Sequence, residues 1–251
     1  MRKPLVIGNW KMHGSQRSVG QLLDGIAGVA DLAVEVAVCP PFVYLAEAAA
    51  KVSGTGIRLA AQSLSEYECG AYTGDVAGSM LADVGCRYVL VGHSERRRLF
   101  GETDHRIARQ FERALAAGIT PVLCVGEDAA ERNAGETWQV LHRQLATVAN
   151  AAGWEALGES VIAYEPVWAI GAGATASPAQ VEAVLVRIRD LLGAGGAGPR
   201  LLYGGSVSKL NAAELFALPD VDGVLVGGAS LQAEEFTAIC RLAVGESWKP
   251  W

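Results

Sequence analysis

Cysteine is scarce and unpaired in this chain. Its five cysteines, at 39, 69, 86, 124 and 240, are odd in number and none falls in a CxxC or CxxH spacing. That excludes a disulfide frame and a thiolate zinc site, and implies reduced thiols in a cytosol-like, cytoplasmic compartment. Basic residues are not in excess: 21 Lys and Arg face 27 Asp and Glu, for a net charge of −6. A global footprint for nucleic acid is therefore missing. An anion is left with a local device, such as one lysine or a helix N-terminus. Long apolar runs are also missing. The opening "MRKPLVIGNW" holds four apolar residues before Gly8, too few for a signal-peptide core, and no run approaches a membrane span. Only nine prolines accompany 30 glycines, without long polar tracts, which excludes disordered and collagen-like chains.

What is present is 251 residues, 51% of them hydrophobic, enough for one large core. Short β-branched segments recur at 4–9, 34–39, 57–62, 87–92, 119–125, 160–165, 200–204 and 222–227. Between them lie amphipathic Ala- and Leu-rich stretches at 16–30, 42–53, 77–84, 103–117, 136–149, 178–192, 209–217 and 230–243. Ser177-Pro178 supplies an N-cap followed by proline at the first helical position. Strands apolar on both faces and alternating with helices imply a parallel sheet covered by helices. Eight such units in this length predict an α/β fold, a single (β/α)8 barrel spanning residues 1–251 as one domain. The rival, an open doubly wound sheet, carries a Gly-rich phosphate loop after its first strand; "GNWKMHGS" fits no such fingerprint.

Barrel enzymes build their sites at the C-terminal ends of the strands. Read in order, those ends hold Asn9 and Lys11, Gln62, His93-Ser94-Glu95, Cys124 and Glu127, Glu165, Gly204-Gly205-Ser206 and Gly227-Gly228. One histidine among scattered carboxylates makes a poor metal site, and no nucleophile elbow is present. Glycine turns after strands 7 and 8 stand where barrels bind phosphate with backbone amides. A phosphate anchor, a carboxylate, a histidine and a lysine around one cavity suit proton transfer beside a carbonyl. Glu165 is the base, His93 the donor at the carbonyl oxygen and Lys11 the compensating charge, with neither cofactor nor metal.

Five segments carry a resemblance: "GNWKM" at 8–12, "GHSERR" at 92–97, "YEPVWAIG" at 164–171, "YGGSV" at 203–207 and "DGVLVGGASL" at 222–231. Each falls at a strand end, in order, and together they closely resemble the triosephosphate isomerase family from Leu5 to about Leu231. The resemblance implies a cofactor-independent interconversion of glyceraldehyde 3-phosphate and dihydroxyacetone phosphate through an enediolate, in glycolysis and gluconeogenesis. It further implies that Glu165 moves the proton between carbons. A neutral His93, its pKa lowered by a short helix starting near Ser94, serves the oxygens. Lys11 and Asn9 balance negative charge, and Glu95 is a buried partner of Lys11 that positions it or tunes protons. Amides of Gly171, Ser206, Gly227 and Gly228 hold the phosphate of a small phosphorylated triose.

By the same resemblance, Pro166-Val167-Trp168 and Ala174-Thr175-Ala176 are hinges of a mobile lid. Ala172 and Ala174 stand where Thr and Lys are frequent, which puts closure rates in question rather than the chemistry. The segment 63–76, "SLSEYECGAYTGDV", resembles a dimer loop, with Thr73 reaching toward a partner's Asn9 and Lys11. Cys69 within it is either an interface thiol or an exposed oxidisable one. Two other readings fit the residues less well. A non-catalytic binding barrel requires the loss of Lys11, His93 or Glu165, and all are kept. An aldolase requires a Schiff-base lysine on strands 5–7, and no lysine occurs between Lys51 and Lys209.

Overall fold

A computed structural model of the chain describes residues 2–170, 175–192 and 198–246. Its parallel strands are β1 (Leu5–Asn9), β2 (Glu35–Cys39), β3 (Arg58–Ala61), β4 (Cys86–Val91), β5 (Thr120–Val125), β6 (Val161–Tyr164), β7 (Arg200–Tyr203) and β8 (Gly223–Val226). They close into one barrel in chain order, with β8 returning to β1 in the register Leu5↔Gly223 to Gly8↔Val226. The expected (β/α)8 barrel is the fold observed.

The strands are apolar on both faces because both faces are covered. Leu5, Ile7, Ala37, Tyr88, Leu90, Val122 and Cys124 form one buried cluster, drawn from the strands alone, that fills the barrel. Their alternating neighbours Val6, Val36, Val38, Val89 and Leu123 pack outward beneath the helices. At the N-terminal rim, Arg200 donates to Glu35 and to the Tyr88 hydroxyl, and Tyr88 donates to Glu35, each at 2.6 Å. This triad closes the barrel floor with every partner paired, and leaves the opposite rim for chemistry.

The covering helices are α1 (Gln16–Gly25), α2 (Leu45–Val52), α3 (Gly78–Asp83), α4 (Ser94–Phe100), α5 (Asp104–Ala116), α6 (Ala129–Asn133), α7 (Thr137–Ala152), α8 (Trp154–Gly158), α9 (Pro178–Leu192), α10 (Ala212–Phe216) and α11 (Ala233–Leu242). Ser177 caps α9 as expected: it receives the Gln180 amide at 3.3 Å while Gln180 receives its amide at 2.9 Å. The stretch expected as one helix over 16–30 divides after Gly25, and a 3-10 turn over Ala27–Asp31 buries Val29. Similar turns precede α2 and α11. α4 is the short helix expected near Ser94, and α6 and α8 are short elements within stretches expected as connections.

Candidate active site

The site begins where β1 ends. Asn9 is buried, and its Oδ1 accepts the Lys11 amide at 3.0 Å. Gln62 donates to the carbonyls of Lys11 and Cys39, at 2.7 and 3.0 Å. These bonds hold Lys11 at φ +51°, the left-handed region that side-chain-bearing residues seldom adopt. The constraint aims Nζ at Glu95 Oε1, 2.6 Å away. Glu95 was expected to be buried; its side chain is 35% exposed, so water screens the pair.

β4 delivers His93 as the N-cap of α4, and its ring Nδ1 accepts the Glu95 amide at 3.3 Å. An acceptor at Nδ1 belongs to the neutral ring, which then carries its proton on Nε2. That Nε2 lies 3.0 Å from Glu165 Oε1 and 3.4 Å from Asn9 Nδ2. Glu165 follows the last residue of β6. Its amide donates to Val125 O at 2.8 Å, and its Oε2 accepts the Ser94 amide at 2.7 Å. The carboxylate is 2% exposed, and Oε1 faces His93 without an aligned hydrogen bond.

Burial pushes the Glu165 carboxyl up, but His93 and the Ser94 amide together hold it below the ordinary glutamate value. For His93, burial disfavours the imidazolium, yet Glu165 and then Glu95 overcome it and hold the ring above the ordinary histidine value. The expected lowering of His93 by the helix N-terminus is therefore not met in this arrangement. The cause is a carboxylate 3.0 Å from Nε2, a stronger local charge than the end of a seven-residue helix.

Opposite these groups stand the glycine turns. A cavity of about 340 Å³ is lined by Asn9, Lys11, His93 and Glu165 on one side, and by Gly204, Gly205, Ser206, Gly227 and Gly228 on the other. Two of these glycine places have a conformational or steric reason. A Cβ on Gly205 would fall 2.2 Å from the Tyr203 hydroxyl. Gly227 has φ −86° and ψ −115°, outside the α and β regions.

A model of the family described as "Triosephosphate isomerase" matches residues 4–243. The chain belongs to the triosephosphate isomerase family. Proteins of that name share 55% identity over 250 residues in Dechloromonas aromatica (strain RCB), covering 97% of this chain and 100% of that one. The figures for Thiobacillus denitrificans (strain ATCC 25259 / T1) are 54% over 247 residues, covering 97% and 99%. For Pseudomonas entomophila (strain L48) they are 53% over 249 residues, again 97% and 99%.

Of the residues expected from the family motifs, Asn9, Lys11, His93, Glu165, Ser206, Gly227 and Gly228 border one cavity, and Glu95 stands behind Lys11. Gly171, with Ala172 and Ala174 of the expected lid, lies outside the described residues. The segment expected as the first hinge is tied down: Trp168 donates to the fully buried Glu127 at 3.0 Å, and Arg132 stacks on the indole at 4.3 Å. Motif reading missed Ser208 and Asn211 in the lining, and gave Thr175, which also borders the cavity, only as part of a hinge. Asn211 accepts the Ser208 amide at 2.8 Å and donates to Ser206 O at 2.9 Å, so it shapes the first glycine turn. Its signal was an N-cap-type residue three places after a serine, just before an alanine-rich helix. Among the described residues, no helix is long and apolar enough to cross a membrane.

Proposed function

We propose that this chain, acting as one catalytic domain, interconverts glyceraldehyde 3-phosphate and dihydroxyacetone phosphate by proton transfer through an enediolate. The observation that carries this is the convergence of Lys11, His93 and Glu165 on one cavity whose other wall is the glycine turns. Backbone amides of Ser206, Gly227 and Gly228 hold the phosphate, and Gly171 joins them by motif. With the phosphate fixed there, the reacting carbons lie toward Glu165. Glu165 removes the proton beside the carbonyl and returns it to the neighbouring carbon. His93 donates from Nε2 to the carbonyl oxygen, and Lys11 and Asn9 balance the charge that develops.

The resting contacts prepare this step. To reach a carbon, Glu165 must leave the Ser94 amide and His93, the two partners that hold its pKa down. Burial then acts on it unopposed and makes it a stronger base. The same movement removes from His93 the carboxylate that raises it, so burial favours the neutral ring, the donor the step requires. Base and donor are tuned by one displacement.

The decisive assay is the steady-state rate with glyceraldehyde 3-phosphate, coupled to a dihydroxyacetone phosphate reductase with no metal added. Rapid turnover is expected. A folded protein without turnover would sink the reading in favour of a binding barrel. Gly227→Val tests the phosphate wall. Its Cβ would meet Lys11 Cε at 3.3 Å, and its backbone would abandon the observed turn. The KM is expected to rise about 10- to 100-fold with a smaller change in kcat; an unchanged KM would place the phosphate elsewhere.

The active form is a homodimer, and the site is cytoplasmic. Residues 67–75 are all exposed, although Tyr67 and Tyr72 stack at 3.8 Å and the Ser65–Asp75 bond of 2.6 Å closes the loop base. A projecting loop this ordered serves binding. Met12, beside Lys11, is 93% exposed, and Val43 is 81% exposed, an arrangement that a second copy would cover. Thr73 then reaches the partner's Asn9 and Lys11. Excising 68–74, with Ser65 and Asp75 kept, is expected to give monomers in sedimentation with activity about tenfold lower or less. Dimers of undiminished stability would remove the loop from the interface.

A further inference from the structure

We propose that Gln144 is a positioning residue: its side-chain amide clamps the Gly126 peptide against the backbone of Glu165. The proposal rests on the reading of Glu165 as the base.

Gln144 lies on α7 in the stripe formed by Val140, Leu141, Leu145 and Val148, and is 4% exposed. A glutamine in an apolar stripe is costly unless its amide is satisfied. Here both of its ends meet one peptide. Oε1 accepts the Gly126 amide at 2.9 Å, and Nε2 donates to Gly126 O at 3.1 Å. Gly126 lies just past β5, where the strand ladder stops, and Gln144 takes the place of the missing neighbour strand.

The residues on either side of Gly126 carry the catalytic segment. Glu165 N donates to Val125 O at 2.8 Å, and Val167 N donates to Glu127 O at 3.1 Å. Between those bonds, a Cβ on Gly126 would sit 1.7 Å from Glu165 O, so the two backbones are in direct contact. Movement of Gly126 toward Glu165 is blocked by that contact, and movement away is blocked by Gln144. The depth of the Glu165 backbone is thereby set from a helix outside the barrel. A separate cavity of about 480 Å³ borders Gly126, Gln144, Ser94 and Val167. If the amide were lost, water entering there would satisfy the Gly126 groups, preserving the fold but not the placement.

The test uses the full chain carrying Gln144→Met, Gln144→Ala or Gln144→Glu. Met and Ala are expected to lower kcat about 30- to 100-fold. The KM and the inhibition constant of inorganic phosphate should stay within about threefold, because the phosphate wall is untouched. The deuterium isotope effect on kcat, with substrate labelled at the abstracted position, should rise as proton transfer becomes limiting. Gln144→Glu keeps an acceptor for the Gly126 amide and should retain more activity than Met. An unaltered kcat and isotope effect in the Met or Ala variant would overturn the clamp, as would KM and inhibition constant rising in step with the loss of kcat. A wild-type chain without isomerase activity would overturn the reading of Glu165, and the clamp with it.

Discussion

Glu165→Ala will lower kcat by about three to four orders of magnitude, roughly 4–5.5 kcal/mol of transition-state stabilisation, while KM changes little. The estimate follows from what the carboxylate does and from what stands near it. The other carboxylate close to His93 is Glu95, which Lys11 holds by an ion pair of 2.6 Å. No second base is therefore free to take over. The fold should survive, because the side chain is a buried charge whose desolvation is only offset by His93 and the Ser94 amide. Removing it leaves one amide that water in the cavity can reach. A second readout is built in. His93 stands above the ordinary histidine value because of this carboxylate, so its titration in the variant should move down, toward the value burial alone would set. Nitrogen-15 NMR of the ring follows this directly. An enzyme that keeps its kcat would show that another group takes the proton, and a His93 that keeps its pKa would show that the 3.0 Å contact does not govern it.

The sequence made the barrel and most of the site legible for a physical reason. A strand that must be apolar on both faces stands out against an amphipathic helix, and each polar residue that ends such a strand is conspicuous. Asn9, His93 and Glu165 were visible in this way, and the paired glycines of the two turns were visible as strand-end punctuation; in the first turn a side chain would clash, at Gly204 with Glu165 and at Gly205 with Tyr203. α4 was harder to delimit, since "SERRRLF" has no apolar period and its cap is His93 itself. The division of the 16–30 stretch after Gly25 was hidden because Ile26 and Val29 continue an apolar pattern in a different helix type. Orientation was the largest gap. No local pattern tells that Glu165 would lie on Ser94 and His93, since these residues are 71 and 72 positions away in the chain. The carboxylate that raises His93 in this arrangement was out of sight for that reason. Gln144 left one trace, a polar residue within the buried stripe of α7, but its partner Gly126 is fixed only by how that helix packs.

Lys11→Met is the second large effect expected: kcat/KM should fall about 10³-fold, shared between kcat and KM. Among the described lining residues, Lys11 is the one lysine or arginine of the cavity. With it, the pair of Lys11 and Glu95 is neutral, and Glu165 leaves one net negative charge for a phosphorylated substrate to meet. Without it, Glu95 and Glu165 both oppose the phosphate, and nothing balances the charge that forms on the substrate oxygens. Met matches the lysine stem as far as Cε, lacking only the ammonium, and can occupy the same held backbone, with Asn9 and Gln62 still binding the amide and carbonyl of residue 11. The loss would therefore be one of charge and not of shape. Two further measurements separate these causes. The fall of kcat/KM with ionic strength should flatten, because a site without its cation no longer steers an anion. Adding Glu95→Gln to Lys11→Met removes the exposed negative charge and should recover about tenfold, mostly in KM. If the double variant were no better than the single one, Glu95 would not repel the substrate, and the lysine would act through a directed hydrogen bond to the reacting oxygen in place of neutralising charge.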